Sequence, residues 1–292
     1  MEIVLMISSS LISSLNEQGL KLKMEQAPQR NSKVVLTSRD EKRGLHALET
    51  LKDLSHLVLF HQLDVADPAS VDSLANFIKS EFRKLDILNC ILLINNAGIG
   101  GLVIKDNDLV PQVLLKSREL SDDVIEKAGI VQTFELAEEC LQINYYGAKR
   151  TSEALLPLFQ LSESPRIVNV SSSLGKLKIL DFFAKFEERV DEVLNEFLKD
   201  IKEGCLERKG WPKVLGAYII SKAAMNAYTR IVAKKYPTIC INSVCPGYVK
   251  TDITANTGFL TAEEGAASAV KIALLSNASS GLFYSQNEVS SF

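Results

Sequence analysis

Residues 91–98 read Ile-Leu-Leu-Ile-Asn-Asn-Ala-Gly, an apolar run that changes abruptly into small and polar residues. A continuous apolar run is typical of a strand that is buried on both faces of a parallel sheet. Asn and Gly tolerate the positive φ angles of a turn, so the strand is expected to end at Asn95. The stretch therefore predicts an α/β fold with a loop at the carboxyl edge of its sheet.

Short β-branched runs alternate with longer helical patterns on both sides of this stretch. The alternation predicts a parallel sheet with helices on both faces. No internal repeat or Pro/Gly-rich linker marks a boundary, so residues 1–292 are expected to form a single domain. The predicted strands are Lys33 to Ser38, Leu57 to Val65, Ile91 to Asn95, Arg166 to Ser171, Ile239 to Cys245 and Gly281 to Tyr284.

Two stretches between the strands have the periodicity of amphipathic helices. The first begins with Asp67 as N-cap and Pro68 at the first helical position, and it is expected to pack on the sheet. The second ends before Gly204, a candidate C-cap. The apolar faces consist of Val71, Leu74, Ile78 and Phe82 in the first helix and of Val190, Val193, Leu194, Phe197 and Ile201 in the second.

The charge balance and the cysteine content narrow the class of function. Lys and Arg total 33 against 36 Asp and Glu, and the net charge of -3 supplies no basic field for nucleic acid or an anionic membrane. The five cysteines are scattered without metal-ligand spacing, which indicates a reducing compartment and no structural metal. No run approaches the ~20 apolar residues of a membrane-spanning helix, and no basic residue precedes Lys21 as in a secretory signal. We expect a cytoplasmic protein with a small-molecule partner.

Tyr218 and Lys222 are four positions apart, which places both side chains on one face of a helix. A ketone that accepts hydride needs a proton, but a free phenol has a pKa of roughly 10 and donates slowly near neutral pH. A neighbouring ammonium stabilises the phenolate and lowers that pKa. The pair is a candidate acid with its activating group, although this spacing taken alone is more often a half-exposed helix face.

Three serines, Ser171, Ser172 and Ser173, follow a predicted strand at the carboxyl edge, where open α/β sheets bind ligands. A hydroxyl there can hydrogen-bond a substrate carbonyl. Serines that bond the local backbone in a turn are the alternative. Together with the other motifs these serines form an ordered series along the chain: Asn-Asn-Ala-Gly at 95–98, Asn144, Ser172, Tyr218 with Lys222, and Pro246-Gly247.

In this conjunction the sequence resembles the short-chain dehydrogenase/reductase family from about Lys33 onward. Residues 34–40 and 245–252 narrow the resemblance to the monomeric carbonyl reductase branch. The resemblance implies a Rossmann-type doubly wound sheet, NADP(H) as cofactor and a small-molecule ketone or alcohol as substrate.

The resemblance also implies catalytic roles for individual residues. Ser172 matches the serine that holds the substrate oxygen, and Ser171 and Ser173 are then bystanders. Tyr218 matches the acid/base. Lys222 matches the residue that lowers the pKa of this tyrosine and holds the nicotinamide ribose.

Asn144 completes the implied tetrad as the helix residue that supports a proton-relay water, with a buried structural Asn as the alternative. Arg39 ends the second strand, where a guanidinium suits the 2′-phosphate of NADP(H) and an acidic residue suits a ribose hydroxyl. A solvated charge after a strand is the alternative for Arg39. The implied cofactor-binding residues are Arg39, Asp64, Val65, Asn95, Asn96, Ala97, Gly98, Lys222, Pro246, Gly247, Val249 and Thr251.

Residues 1–32 depart from the family pattern, which opens with a strand and Thr-Gly-x-x-x-Gly-x-Gly at a helix N-terminus that receives the pyrophosphate. Ile3 to Ile7 can form the strand and Ser9 to Gln18 a helix. Ser8-Ser9-Ser10, however, stands where glycines let backbone amides approach the phosphates. A second departure, an insertion of about four residues within 85–94, shifts the next strand or forms a bulge. We therefore expect weak NADP(H) binding.

The resulting hypothesis is an NADPH-dependent reductase of a small apolar ketone such as a monoterpenoid. The alternative is a catalytically inactive member of the fold, either with a binding role or through a defective gene model at these departures. Residues 176–215 separate Ser172 from Tyr218 and hold the second amphipathic helix. The resemblance implies that this insertion covers the surface by which oligomeric relatives pair, so we expect a monomer with a substrate lid.

Overall fold

Eight strands of the described residues form one sheet in the order β3-β2-β1-β4-β5-β6-β7-β8. The computed structural model describes residues 3–8, 33–51, 53, 56–82, 90–117, 119–176, 187–275 and 279–291. Strands β1 to β7 are parallel, and β8 pairs antiparallel with β7. The strands are β1 Ile3–Ser8, β2 Lys33–Ser38, β3 Val58–Gln62, β4 Cys90–Asn95, β5 Arg166–Val170, β6 Cys240–Cys245, β7 Phe283–Ser285 and β8 Glu288–Ser290.

The strand order reverses direction between β1 and β4, and open α/β sheets bind ligands at such a switch point. This is the Rossmann-type doubly wound arrangement implied by the sequence. A π-helical turn, Gln142–Gly147, joins two consecutive helices, Phe134–Leu141 and Ala148–Phe159. The helices are α1 Glu41–Glu49, α2 Pro68–Glu81, α3 Val110–Leu115, α4 Asp122–Lys127, α5 Phe134–Leu141, α6 Ala148–Phe159, α7 Glu187–Lys202, α8 Gly216–Lys235 and α9 Ala262–Leu274.

The sheet has an apolar layer on each face, because successive residues of its strands point to opposite sides. In β2, Val34 and Leu36 pack with residues of α1 and α9, whereas Val35 packs with residues of α2, α6 and α8. All three side chains are almost completely buried. The continuous apolar runs of the sequence thus reflect helices on both faces.

The sequence prediction for β3 is too long at its end. The predicted strand runs from Leu57 to Val65, but β3 ends at Gln62. Beyond it the Asp64 N–H donates to the Ser70 hydroxyl at 2.9 Å, and the Asp64 carboxylate accepts from the Ala66 N–H at 2.9 Å. These bonds form the turn into α2 and take the chain out of the sheet. Strand β8 was not predicted, since three residues carry little periodicity.

Helix α2 begins as the sequence predicts. Asp67 accepts a hydrogen bond from the Ala69 N–H at 3.0 Å, and Pro68 is the first helical residue. Its predicted apolar face is confirmed, because the residues concerned are at most 6% exposed: Val71, Leu74, Ile78 and Phe82.

Helix α7, the predicted second amphipathic helix, packs on α8 and α5. Val190, Leu194 and Phe197 are completely buried in the main core. Gly204 follows the helix with a φ of +67°, which confirms it as the C-cap glycine.

The expected first strand is confirmed as β1, which lies between β2 and β4 with Leu5 opposite Val34 and Leu92. The helix predicted over Ser9 to Gln18 lies outside the described residues. Of the predicted insertion within 85–94, residues 85–89 lie outside them as well.

Candidate active site

Two hydrogen bonds fix α8 against the carboxyl end of β5. The Lys222 Nζ donates to the Val170 carbonyl at 2.8 Å, and the Ser171 hydroxyl donates to the Lys222 carbonyl at 3.2 Å. Gly175 lies so close to α8 that an added Cβ would be 2.7 Å from the carbonyl carbon of Lys222. A side chain at this position would push the turn after β5 away from the helix, so glycine sets how closely the serine stretch approaches Tyr218.

Among the three serines, it is Ser172 that contacts Tyr218. The Ser172 hydroxyl lies close enough to the Tyr218 phenol to lower its pKa, and it also accepts from the Leu174 N–H at 3.2 Å. Ser173 is exposed, and the Ser171 hydroxyl is bonded to the helix backbone. The structure therefore brings Ser172 and Tyr218 together and leaves the other two serines outside this contact.

Burial governs the protonation of Tyr218 and Lys222. It raises the pKa of the Tyr218 phenol above its ordinary value, and the neighbouring Ser172 hydroxyl partly opposes that rise. Burial lowers the pKa of Lys222 to about 8. The sequence argument expects Lys222 to lower the phenol pKa, but the net shift is upward. The ammonium donates to the Val170 carbonyl and lies 5.8 Å from the centre of the Tyr218 ring.

Asn144 is completely buried in the π-helical turn. Its side-chain oxygen accepts from the Ile99 N–H at 2.8 Å, and its amide donates to the Ile99 carbonyl and the Ser221 hydroxyl, each at 3.0 Å. Asn144 thus connects the loop after β4 to α8, next to Lys222. Its side-chain bonds suit a buried structural Asn, and its part in a proton relay stays a prediction. Turns of this π-helical kind are rare and occur frequently at functional sites.

A pocket with about 410 Å³ of empty space, part of it open to solvent, lies beside the ends of β2, β3 and β4. It is also lined by Ile143 of the π-helical turn. The predicted cofactor residues in its wall are Val65, Asn95, Asn96 and Ala97.

The Asn95 amide is used inside the protein. It donates to the Ser152 hydroxyl at 3.0 Å and to the Asn169 side-chain oxygen at 2.8 Å. The Asn169 amide in turn donates to the Thr229 hydroxyl of α8 at 2.9 Å. Asn95 therefore ties β4 to β5 and through it to α8, and it shapes the pocket wall from behind.

Gly98 lies beside two of the predicted tetrad residues, Asn144 and Lys222. An added Cβ at Gly98 would lie 3.4 Å from both the Asn144 Oδ1 and the Lys222 Nζ. The loop after β4 therefore passes directly in front of these two groups.

Arg39 and Asp64, which follow β2 and β3, are not among the residues that line the pocket. The Arg39 guanidinium lies 3.8 Å from the Glu139 carboxylate, and both side chains are exposed. Exposed ion pairs contribute little to stability, which leaves this guanidinium free to exchange partners. The Asp64 carboxylate accepts from the Ala66 N–H, so it shapes its own turn.

The predicted nicotinamide segment, residues 246–251, continues from β6. Gly247 has a φ of +94°, a conformation that favours glycine. Val249 is 8% exposed and forms a parallel bridge with Leu260, and Thr251 begins a short 3-10 turn. The segment therefore folds back on itself beside Cys245, the last residue of β6.

Sequence reasoning missed the immediate surroundings of Tyr218. The thiols of Cys140 and Cys245 lie close enough to influence its pKa, and their scattered positions in the sequence gave no signal. Leu215 has a φ of +58°, which no sequence pattern indicated. Tyr218 also packs against an apolar cluster. Its residues come from the connection between β4 and α5, from the turn after β5, and from the region before and within α8: Leu102, Ile104, Val113, Leu174, Val214, Leu215 and Ile219.

Comparison with known proteins decides the family. The model of the short chain dehydrogenase family matches residues 23–184. The chain belongs to this family. A protein of Saponaria officinalis named short-chain dehydrogenase/reductase 1 is 54% identical over 89% of this chain and 87% of its own length. A (+)-neomenthol dehydrogenase of Arabidopsis thaliana is 51% identical over 89% of this chain and 90% of its own length.

The fold also matches a solved structure of this family. Salutaridine reductase from Papaver somniferum superposes with a TM-score of 0.79 at 43% identity, covering 97% of this chain and 99% of its own. These relatives are named as dehydrogenases and reductases, so this chain is an oxidoreductase by family. The resemblance drawn from the sequence motifs is confirmed.

The described residues contain neither a candidate membrane span nor a group of side chains suited to a metal ion. None of their helices combines the length and apolarity required to cross a membrane. Within the same residues, no group of three or more His, Cys, Asp or Glu side chains is arranged to hold a metal ion.

Proposed function

We propose that the chain is an NADPH-dependent carbonyl reductase that acts on a small apolar ketone such as a monoterpenoid. The proximity of the Ser172 hydroxyl to the Tyr218 phenol carries the proposal. The pair lies at the carboxyl edge of the sheet, and the buried amine of Lys222 is beside it. The neighbouring hydroxyls of Ser172 and Tyr218 can both donate hydrogen bonds to the oxygen of one carbonyl group.

Tyr218 is the proposed proton donor. Because burial raises its pKa, the phenol keeps its proton at neutral pH and can release it only as negative charge develops on the ketone oxygen. The Ser172 hydroxyl holds the same oxygen. The Lys222 ammonium stabilises the phenolate that remains after the transfer.

NADPH, when bound, supplies the hydride for this reaction. Its adenosine suits the pocket lined by Val65 and residues 95–97. Its nicotinamide suits the segment that begins with Pro246 and Gly247, and its ribose suits Lys222. We assign the 2′-phosphate to Arg39, whose planar guanidinium matches a phosphate better than a ribose hydroxyl.

The proposed substrate class rests on the apolar cluster around Tyr218. This cluster offers carbon side chains to the body of a ketone, while the hydroxyls of Ser172 and Tyr218 supply the polar contacts. Pockets of this composition fit small apolar ligands with one polar group. The relatives named as neomenthol dehydrogenase and salutaridine reductase support a ketone or alcohol of natural-product size.

We also propose that the protein is a cytoplasmic monomer and that residues 176–215 form a lid. Support comes from α7, whose apolar face is already buried against α8 and α5 of its own chain. Val214 and Leu215, at the end of the same interval, belong to the apolar cluster at Tyr218.

A catalytically inactive member of the fold is the second candidate. The observation that favours it is the sequence Ser8-Ser9-Ser10, which stands where the family has glycines that let backbone amides approach the phosphates. Such a chain would keep the fold and the tetrad without turnover.

One pair of measurements separates the two candidates. Calorimetric titration with NADPH measures binding, and the loss of NADPH absorbance with menthone as probe measures turnover. Binding and turnover that disappear in Tyr218→Phe support the reductase. A folded, monodisperse protein that neither binds nor consumes NADPH supports the inactive member.

A further inference from the structure

Helix α7 makes a polar contact with the turn that carries Asn144. Its Asp191 accepts from the Tyr145 phenol at 3.0 Å through one carboxylate oxygen and from the Lys149 Nζ at 2.9 Å through the other. Tyr145 directly follows Asn144 in the π-helical turn, and Lys149 belongs to the first turn of α6. The contact therefore joins the 176–215 interval to the site by side chains that the proposed mechanism does not use.

These groups are largely shielded from water. The side chains of Lys149 and Asp191 are 17% and 30% exposed, and Tyr145 is 1% exposed. Hydrogen bonds that involve charged groups are stronger than neutral ones, and partly buried charges are screened less than exposed ones. Asp191 raises and Lys149 lowers the pKa of Tyr146, so both charges lie beside the same turn.

The same turn holds α8 at two points. The Tyr145 ring meets the Tyr228 ring of α8 edge to face, with 6.1 Å between ring centres. The Asn144 amide donates to the Ser221 hydroxyl of α8 at 3.0 Å. Any displacement of Tyr145 is thus transmitted to the helix that carries the proposed acid.

We propose that Asp191 is a positioning residue for the proposed reduction, on which this inference rests. Asp191 fixes Tyr145 and thereby the π-helical turn. The turn in turn sets Asn144 against α8, the helix of Tyr218 and Lys222. The inserted helix therefore braces the tetrad in addition to covering the flank of α8.

Asp200 provides a matched control on the same helix. It is 2% exposed, accepts from the Trp211 Nε1 at 2.8 Å and lies 3.6 Å from the Lys209 Nζ. Both partners belong to the 176–215 interval. A change at Asp200 therefore alters the packing of the insertion without removing a bond to the π-helical turn.

The test compares Asp191→Asn with Asp200→Asn in the full chain. Asp191→Asn is expected to lower kcat for menthone roughly 10-fold through misplacement of the reacting groups, with KM for menthone and NADPH unchanged. Asp191→Glu, which keeps the charge, is expected to recover part of the loss. Asp200→Asn is expected to lower the melting temperature and leave kcat unchanged. Equal losses of kcat in both Asn variants, or a change in KM alone, would overturn the proposal.

Hydrogen exchange keeps this inference separable from the proposed function. If the wild-type chain consumes no NADPH with ketones, the proposed function has failed, and the brace is judged by backbone amides 142–147. Asp191→Asn is expected to speed their exchange roughly 10-fold by releasing the turn locally, whereas Asp200→Asn leaves it unchanged. Wild-type exchange of these amides in Asp191→Asn would overturn the brace itself.

Discussion

The ends of β5 and β1 lie at the same carboxyl edge of the sheet but specify their chemistry in different ways. After β5, Ser172 meets Tyr218 through side chains that packing against α8 holds in place. At the end of β1 the sequence reads Ser8-Ser9-Ser10, where the family uses glycines to expose backbone amides. Side-chain contacts can persist when the sequence changes elsewhere, but a phosphate site made of backbone amides requires residues without a Cβ atom. The two halves of one site can therefore be lost independently.

The largest expected effect comes from removing the acid in the β5 half. Tyr218→Phe keeps the ring and its packing but removes the proton donor, so reduction should fall roughly 10² to 10⁴-fold. Steady-state turnover with menthone measures this, and thermal unfolding of the same sample checks that the fold is kept. If the wild-type chain turns over too slowly to measure, the comparison is made in the glycine-restored chain described next. Near-normal turnover of the Phe variant would reject Tyr218 as the acid.

The β1 half is probed by restoring its glycines. The chain as written should bind NADPH weakly, and a chain with Thr-Gly-x-x-x-Gly-x-Gly in place of residues 8–15 should bind it roughly 10 to 100-fold more tightly. One or two charge-assisted hydrogen bonds to phosphate are sufficient for such a gain. Calorimetric titration of both chains with NADPH measures the difference. Micromolar binding by the unaltered chain would show that the serines do not obstruct the phosphates.

The difference between the two halves also explains what the sequence could predict. Strand β2 and the N-cap of α2 could be predicted from local sequence patterns. Burial on both faces gives β2 a continuous apolar run, and Asp67-Pro68 marks the start of α2. Ser172, Tyr218 and Lys222 could be brought together because family motifs fix them relative to the ends of β5 and the start of α8. The end of β3 was harder to predict, since the bonds of Asp64 with Ser70 decide it from outside the strand.

Features that arise only from tertiary packing left no sequence signal. The net pKa of Tyr218 depends on burial by residues from distant segments, so spacing from Lys222 predicted the wrong direction. The bond between Asp191 and Tyr145 joins positions 46 residues apart. The internal use of the Asn95 amide likewise depends on Ser152 and Asn169, which belong to other elements. Motif matching identified Tyr218 and Asn95, but it could not supply the groups that surround them.

A smaller effect is expected at Arg39, the proposed partner of the 2′-phosphate. In the glycine-restored chain, Arg39→Glu should weaken NADPH binding roughly 10-fold or more while changing NADH binding little, because a carboxylate would face the 2′-phosphate. Glu139→Gln is the matched control, since it removes the exposed ion-pair partner of Arg39 without changing the guanidinium. Dissociation constants for both nucleotides measure the selectivity. Equal weakening of NADPH and NADH would place Arg39 outside the site.

The smallest effect concerns Lys222 and the pH optimum of reduction. Reduction needs the protonated phenol and leaves a phenolate that the Lys222 ammonium stabilises, so Lys222→Ala should lower kcat at the pH values where wild-type Lys222 is protonated. The Lys222 pKa is about 8, so the ammonium is present below that pH and is lost above it. The influence of Lys222 should therefore be full below about pH 8 and fade above it. Burial holds the phenol pKa above its ordinary value, so the phenol stays protonated across this range, and we expect the fall in wild-type kcat near pH 8 to be absent from Lys222→Ala. Lys222→Met, which retains more of the buried stem, separates the loss of charge from the loss of packing. The same pH profile in wild type and both variants would leave Lys222 with ribose binding alone.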